Sequence, residues 1–206
     1  MTESVPIIHV IDDDDSVRKA VSRLLKAAGY AVQTYATSGE FVIAEPSNAP
    51  GCIVLDVCMP GPSGLELQSA LARRGNCLPI IFLTGHGDIP MSVRAMKAGA
   101  VDFLTKPVKR QELLPAVQNA LDQQAQLVEE HNRNQHIREC YATLTSRERE
   151  IMAHVVAGKL NKQTAATIGI AERTVKAHRA QVMSKMQVNS LADLVRIANW
   201  LESNIG

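Results

Sequence analysis

The sequence predicts an α/β protein in two parts: a doubly wound five-stranded parallel-sheet domain over residues 1–122, then an all-α four-helix unit over residues 142–206. Three observations carry this. The first part holds five short β-branched apolar runs, each followed by a helix-patterned segment. Those runs are almost continuously apolar rather than alternating, as in strands covered on both faces. After Ala142 no such run recurs, and apolar residues return at helical spacing.

Ile7–Ile11 is the first predicted strand, ended by Asp12-Asp13. The following helix buries Val17, Val21, Leu24, Leu25 and Ala28 on one face, with Asp15 as its expected cap and Gly29 as its stop. Ala31–Tyr35 is the second strand, followed by a short helix capped by Ser38 and running through Ala44. Cys52–Asp56 is the third, and a Pro/Gly-rich loop leads from it into a helix over Gly64–Leu71. Pro79–Thr84 is the fourth, with a helix over Met91–Ala98 stopped by Gly99. Val101–Lys106 is the fifth, followed by a helix from about Lys109, which Pro115 either kinks or starts late. Residues 123–141 turn polar and read as a helical linker, a dimerising coiled coil being the minor alternative. In the last part, Thr145-Ser146-Arg147-Glu148 forms a capping box, ahead of Ile151, Met152, Val155 and Val156 on one helix face. Lys162–Ile168 and Glu172–Met186 are two helices joined by the turn Gly169-Ile170-Ala171. Ser190 caps the fourth helix of the unit, whose core stripe is Leu191, Leu194, Ile197, Ala198 and Leu201. Two helices joined by a short Gly-containing turn point to helix-turn-helix DNA binding.

The strand ends gather the chemistry. In an open parallel sheet the carboxyl ends converge on one crevice. Asp12, Asp13, Asp56, Thr84 and Lys106 all stand at such ends. Three carboxylates meeting there repel one another unless a cation lies between them. Mg²⁺, which favours a few carboxylate oxygens plus water and phosphate, fits that demand. A carboxylate flanked by Mg²⁺, a hydroxyl and a lysine is set up to accept a phosphoryl group.

Composition bounds the rest. The stretch from Ala142 carries nine Lys/Arg against five Asp/Glu, while the stretch to Asp122 is slightly acidic. Either a polyanion partner or a plain solvated basic face accounts for that asymmetry. Cys52, Cys58, Cys77 and Cys140 form no CxxC pair and have no histidine at zinc spacing; Cys52, in an apolar strand, reads as a buried thiol. Such cysteine usage suits a reducing compartment. Met1–Ser4 lacks the basic start of a signal peptide, and no apolar run approaches a membrane span. The expectation is a cytoplasmic protein with no membrane partner.

These motifs, in this order, resemble two-component response regulators of the FixJ/NarL type, a receiver domain joined to a LuxR-type helix-turn-helix. The resemblance covers nearly the whole chain. It rests on Ile11-Asp12-Asp13, Asp56-Val57-Cys58-Met59-Pro60 with Gly64, Thr84-Gly85-His86-Gly87-Asp88 and Lys106-Pro107 in the first part. In the second it rests on Leu144–Glu148, Asn161-Lys162 and Thr174-Val175-Lys176-Ala177-His178. The resemblance implies that Asp56 is the phosphoacceptor, attacking a phosphohistidine of a sensor histidine kinase. It implies direct Mg²⁺ ligation (or another divalent cation such as Mn²⁺) by Asp13, Asp56 and the Cys58 carbonyl, with Asp12 acting through water. Thr84 and Lys106 would bind phosphoryl oxygens, and Lys106-Pro107 would be cis, as in receivers. Phe103 resembles the aromatic that turns inward with Thr84, and Val93, Lys97 and Asp102 share its face, which pairs receivers or frees the output domain. His86 either tunes the phosphoryl lifetime or stabilises its loop. The implied partners are the kinase, double-stranded promoter DNA, RNA polymerase and a second copy of the phosphorylated chain. An enzyme turning over phosphate esters is the rival reading; it needs an acid/base group where Cys58 stands. A second rival is a regulator whose helix-turn-helix binds no DNA.

Within the third helix of the last part, helical spacing sends Val175, His178, Val182 and Met186 to the core. Arg173, Lys176, Ala177, Ala180 and Ser184 then face a major groove, and Thr174 belongs to the same DNA-binding set. Lys162, Arg179 and Lys185 are expected on phosphates. Ala171 stands where the family often has a Ser cap.

Overall fold

The structure is a computed structural model that describes residues 5–44, 49–74, 76, 78–85 and 89–205. Two compact units divide the chain, Met1–Glu129 and Glu130–Gly206. His86, with its expected part in the phosphoryl lifetime or the loop, and Cys77 lie outside the described residues.

The first unit is a five-stranded parallel sheet in the order β2-β1-β3-β4-β5. Its strands are β1 (Ile7–Ile11), β2 (Ala31–Tyr35), β3 (Gly51–Asp56), β4 (Ile80–Thr84) and β5 (Asp102–Thr105). Between them run α1 (Asp15–Ala27), α2 (Ser38–Ile43), α3 (Gly64–Arg73) and α4 (Ile89–Lys97), and α5 (Arg110–Ala142) follows β5. The continuous apolar runs have the predicted cause. Ile8, Val10, Cys52, Val54, Ile81 and Leu83 pack on one face, with residues of α1 and α5. Ile11, Ile53, Leu55, Ile80 and Phe82 pack on the other, with residues of α2, α3 and α4. Cys52 is fully buried, and burial pushes its thiol up to about 12, so it is chemically inert.

Local chemistry corrects several predicted boundaries by a residue or two. The cap of α1 is Asp14, not Asp15: Asp14 is extended and accepts from the Ser16 and Val17 amides. Asp15 is the first helical residue and pairs with Arg18 and Lys19. Thr37, not Ser38, caps α2, because the Ser38 hydroxyl donates instead to the Pro62 carbonyl. Lys106 lies just beyond β5, its amide donating to the Thr84 carbonyl at 2.7 Å. Helix α5 runs through Pro115 rather than starting after it, at the loss of one amide bond in its second turn.

Residues 123–141 are helical within α5, and both ends of that stretch carry packed side chains. Gln124 is buried in the first unit and accepts from the Gly51 amide at 2.7 Å. Ile137, Cys140 and Tyr141 join the core of the second unit.

The second unit adds α6 (Ser146–Val156), α7 (Asn161–Ile168), α8 (Glu172–Lys185) and α9 (Leu191–Ile205). The Thr145–Glu148 capping box is present. Gly169 closes α7 in the left-handed conformation, at φ 70°, where a side chain would be strained. Leu191 does not join the core stripe of α9; at the helix start it is exposed, whereas Leu194, Ala198 and Leu201 are buried.

Candidate functional site

Each acidic residue is delivered by a strand end and held by the turn after it. β1 ends before Asp12 and β3 ends on Asp56, two strands paired side by side in register. The Asp12 carboxylate is fully buried; its Oδ1 accepts the Asp14 amide at 3.0 Å, folding the β1–α1 turn back on itself. Asp56, buried, accepts the Cys58 amide on Oδ1 at 3.4 Å. Carboxylate oxygens of Asp12, Asp13 and Asp56 all lie within 4.8 Å of one another.

Lys106 reaches this cluster from beyond β5, with Nζ 2.7 Å from Asp12 Oδ2 and 3.0 Å from Asp56 Oδ2. Its side chain is 16% exposed. Burial opposes its charge, but the two carboxylates prevail and hold its pKa above the ordinary lysine value. Burial is also the largest influence on Asp56; it raises that carboxyl above the usual range, Lys106 pulling the other way and Asp12 adding to the rise. Thr84, the last residue of β4, is buried one position beyond Leu83, the register partner of Asp56, and its carbonyl accepts the Lys106 amide. The Lys106-Pro107 peptide is cis.

Gly64 lets α3 begin directly against the site, since a Cβ there would collide with the Asp56 carbonyl oxygen. Arg18 is a site residue that sequence reasoning missed. From one turn into α1 its guanidinium donates to the Asp12 and Asp13 carbonyls, at 2.7 and 3.3 Å, and to Asp15 Oδ1 at 2.8 Å. Its only sequence signal is a base one turn after an acidic run.

On the neighbouring face, Val93 and Met96 of α4 are each 45% exposed, and Lys97 is exposed. Phe103 is half-buried against Phe82, ring centroids 6.3 Å apart. Asp102 Oδ1 accepts the Phe103 amide at 2.8 Å.

In the second unit, α8 sorts as its spacing predicts: Val175, Val182 and Met186 are buried, while Arg173, Lys176, Ala177, Ala180 and Ser184 are exposed. Thr174 is half-buried at its start, and Lys162 is exposed on α7. His178 is half-buried, its Nδ1 buried without a hydrogen-bond partner among the described residues. Arg179 donates to Asn161 Oδ1 at 3.4 Å, tying α8 to the start of α7. Lys185 is engaged inside the unit. Its Nζ is 2.7 Å from the buried Glu148 carboxylate and 3.2 Å from the Thr143 carbonyl. Ala171 is the N-cap of α8 and makes no side-chain cap bond.

Comparison with known proteins accounts for both units. The family model described as response regulator receiver domain matches residues 8–118, and that described as bacterial regulatory proteins, luxR family, matches residues 142–198. Response regulator protein TodT of Pseudomonas putida is 42% identical over 205 residues, 100% of this chain and 90% of that protein. Transcriptional regulatory protein FixJ of Azorhizobium caulinodans is 43% identical over 198 residues, 96% of this chain and 93% of that protein. The solved structure of response regulator StyR superposes with a TM-score of 0.86 at 42% identity, covering 95% of this chain and 99% of that one. A sheet with this strand order, an acidic crevice at its carboxyl end and a helix-turn-helix unit therefore have one common source: the chain belongs to the two-component response regulators that join a receiver domain to a LuxR-type DNA-binding domain and regulate transcription.

Proposed function

We propose that Asp56 is the phosphoacceptor of this regulator and that its phosphorylation by a sensor histidine kinase drives receivers to pair and bind promoter DNA. The observation that carries this reading is the Lys106 ammonium lying between Asp12 and Asp56, with the Asp13 carboxylate within reach of both. Three acids sharing one lysine leave an excess of negative charge in a largely buried crevice. That donor set suits a hard divalent cation, Mg²⁺ or Mn²⁺, held by Asp13, Asp56 and the Cys58 carbonyl, with Asp12 acting through water. A cation bound there supplies positive charge to the transferring phosphoryl oxygens and to the attacking carboxylate.

The chain's own groups do the rest. An Asp56 carboxylate oxygen forms the bond to phosphorus while the P–N bond to the kinase imidazole breaks, its electron pair remaining on that nitrogen. Lys106, already 3.0 Å from Asp56, pairs with a phosphoryl oxygen, and the Thr84 hydroxyl donates to another. Drawing Thr84 toward the phosphoryl group opens space for Phe103 to turn inward and remodels the face formed by Val93, Lys97, Asp102 and Phe103. Exposed apolar side chains on α4, Val93 and Met96 among them, supply area for a second receiver.

On DNA, Arg173, Thr174, Lys176, Ala177 and Ala180 of α8 face the major groove. Lys162 and Arg179 meet phosphates. Lys185 has a structural task, because leaving Glu148 buried without its ammonium would be costly. Two paired receivers bring two such helices to a two-fold site, and by linkage whatever favours pairing favours DNA binding equally. The setting is the cytoplasm, with RNA polymerase as the further partner at the promoter.

Light scattering with and without acetyl phosphate and Mg²⁺, beside Asp56→Asn, tests this. The expected result is a doubled mass for the wild type alone. An unchanged mass with Asp56 phosphorylated removes receiver pairing from the mechanism. An unmodified Asp56 removes the phosphoacceptor assignment.

A further inference from the structure

The three carboxylates of the crevice are not held alike. Asp12 is fixed through its own side chain, by the Asp14 amide on one oxygen and Lys106 on the other. Asp56 is fixed by the Cys58 amide and Lys106. The Asp13 carboxylate is exposed, and among the described residues no hydrogen bond or ion pair reaches it. Its aim into the cluster is therefore set by its backbone.

That backbone is gripped from α1. One nitrogen of Arg18, Nη1, takes the carbonyls of both Asp12 and Asp13, and the other, Nη2, takes the Asp15 carboxylate. The Arg18 side chain is 16% exposed; its bond to the Asp12 carbonyl is half-buried, and those to the Asp13 carbonyl and the Asp15 carboxylate face solvent. A guanidinium can do this because its donors are fixed in a planar fork; a lysine ammonium offers similar charge without that geometry.

We propose that Arg18 is a positioning residue for the divalent-cation site, holding the peptide of Asp13 so that its carboxylate points at Asp56. The proposal rests on the reading of Asp13 as a cation ligand. Losing Arg18 weakens the site through Asp13, while Asp12 keeps its two side-chain anchors.

Calorimetric titration of the full chain with Mn²⁺ tests this on wild type, Arg18→Lys, Arg18→Ala and Asp13→Asn. Thermal unfolding and amide exchange of residues 12–15 are measured on the cation-free proteins. Kd is expected to rise about tenfold in both Arg18 variants, about 1.4 kcal/mol of binding, with faster exchange at Asp13 and Asp14. Arg18→Lys keeps the charge and is the decisive variant should Arg18→Ala fail to fold. If Arg18→Lys binds Mn²⁺ within twofold of wild type while Asp13→Asn is weakened, Arg18 acts by charge or stability alone and the positioning role is wrong. A lowered melting temperature with unchanged Kd likewise overturns it. If Asp13→Asn itself binds like wild type, Asp13 is not a ligand, and the reading beneath the proposal fails with it.

Discussion

Gly64 offers the sharpest test of how the fold serves the site. A Cβ on this residue would stand closer than 3.0 Å to the Asp56 carbonyl oxygen, 3.1 Å from Phe82 Cε1 and 3.2 Å from Leu55 Cγ. The nearest obstacle is backbone, which no rotamer change can clear, so Gly64→Ala must push the start of α3 away from the end of β3. Restoring ordinary carbon–oxygen contact needs a shift of about 1 Å. Overpacking of this kind costs about 1–3 kcal/mol, and the gain from alanine's higher helix propensity offsets at most ~1 kcal/mol. A net loss of about 1–2 kcal/mol corresponds to a fall in melting temperature of roughly 4–10 °C. The displacement falls on the residue proposed to be phosphorylated. Misplacing reacting groups by about 1 Å can cost up to ~100-fold, and a drop of at least roughly tenfold in the acetyl phosphate reaction is expected. Calorimetry gives the first quantity and a phosphate-affinity gel time course the second. Gly29→Ala is the control. Gly29 sits at φ 91° with open space around it, remote from the crevice, so alanine there costs about 1–2 kcal/mol of strain while leaving the phosphorylation rate unchanged. A Gly64→Ala protein as stable as wild type, or one destabilised but phosphorylated at the wild-type rate, refutes the steric argument.

Ala171→Ser supplies α8 with the missing cap oxygen and should stabilise the second unit by about 1 kcal/mol; an unchanged or lower melting temperature contradicts the assigned helix start. His9, buried against Tyr35 and Phe41, has its pKa lowered by that burial below 6.5. Its contribution to stability is therefore complete above pH 6.5 and is lost as pH falls toward the lower folded value. Urea midpoints measured across that window should flatten in His9→Gln, and an unaltered slope excludes His9 as the source. Glu148 is held at about 2 by the Lys185 ammonium and the Thr145 amide. The stability it contributes is present above pH 4.5 and lost as pH falls toward 2. Glu148→Gln should lose stability at neutral pH and titrate less steeply in acid, as followed by helical circular dichroism of the second unit.

What short-range physics controls was legible in the chain before any fold was known. Apolar runs buried on both faces named the five strands, and the positions of Asp12, Asp13, Asp56, Thr84 and Lys106 at or just past strand ends followed from the topology of parallel sheets. Capping chemistry marked α6, with Thr145 and Glu148 three residues apart, and helical spacing separated the buried from the exposed side of α8. Which long side chain meets which partner emerged only from the packed fold. Lys106 bridges Asp12 and Asp56 from beyond β5, with β4 between it and Asp56 and both β3 and β4 between it and Asp12. Gln124 crosses to the first amide of β3. Lys185, a basic residue at the end of α8, turns inward to Glu148. Arg18 commits its donors to the carbonyls of the turn behind it. Even the caps of α1 and α2 shifted by one residue, because adjacent Asp14 and Asp15, or Thr37 and Ser38, are equivalent until the surrounding chain offers one of them another partner. Backbone patterning is written in neighbours a few residues apart. A flexible polar side chain, by contrast, finds its partner only after distant segments have packed and excluded the water that would otherwise compete for it.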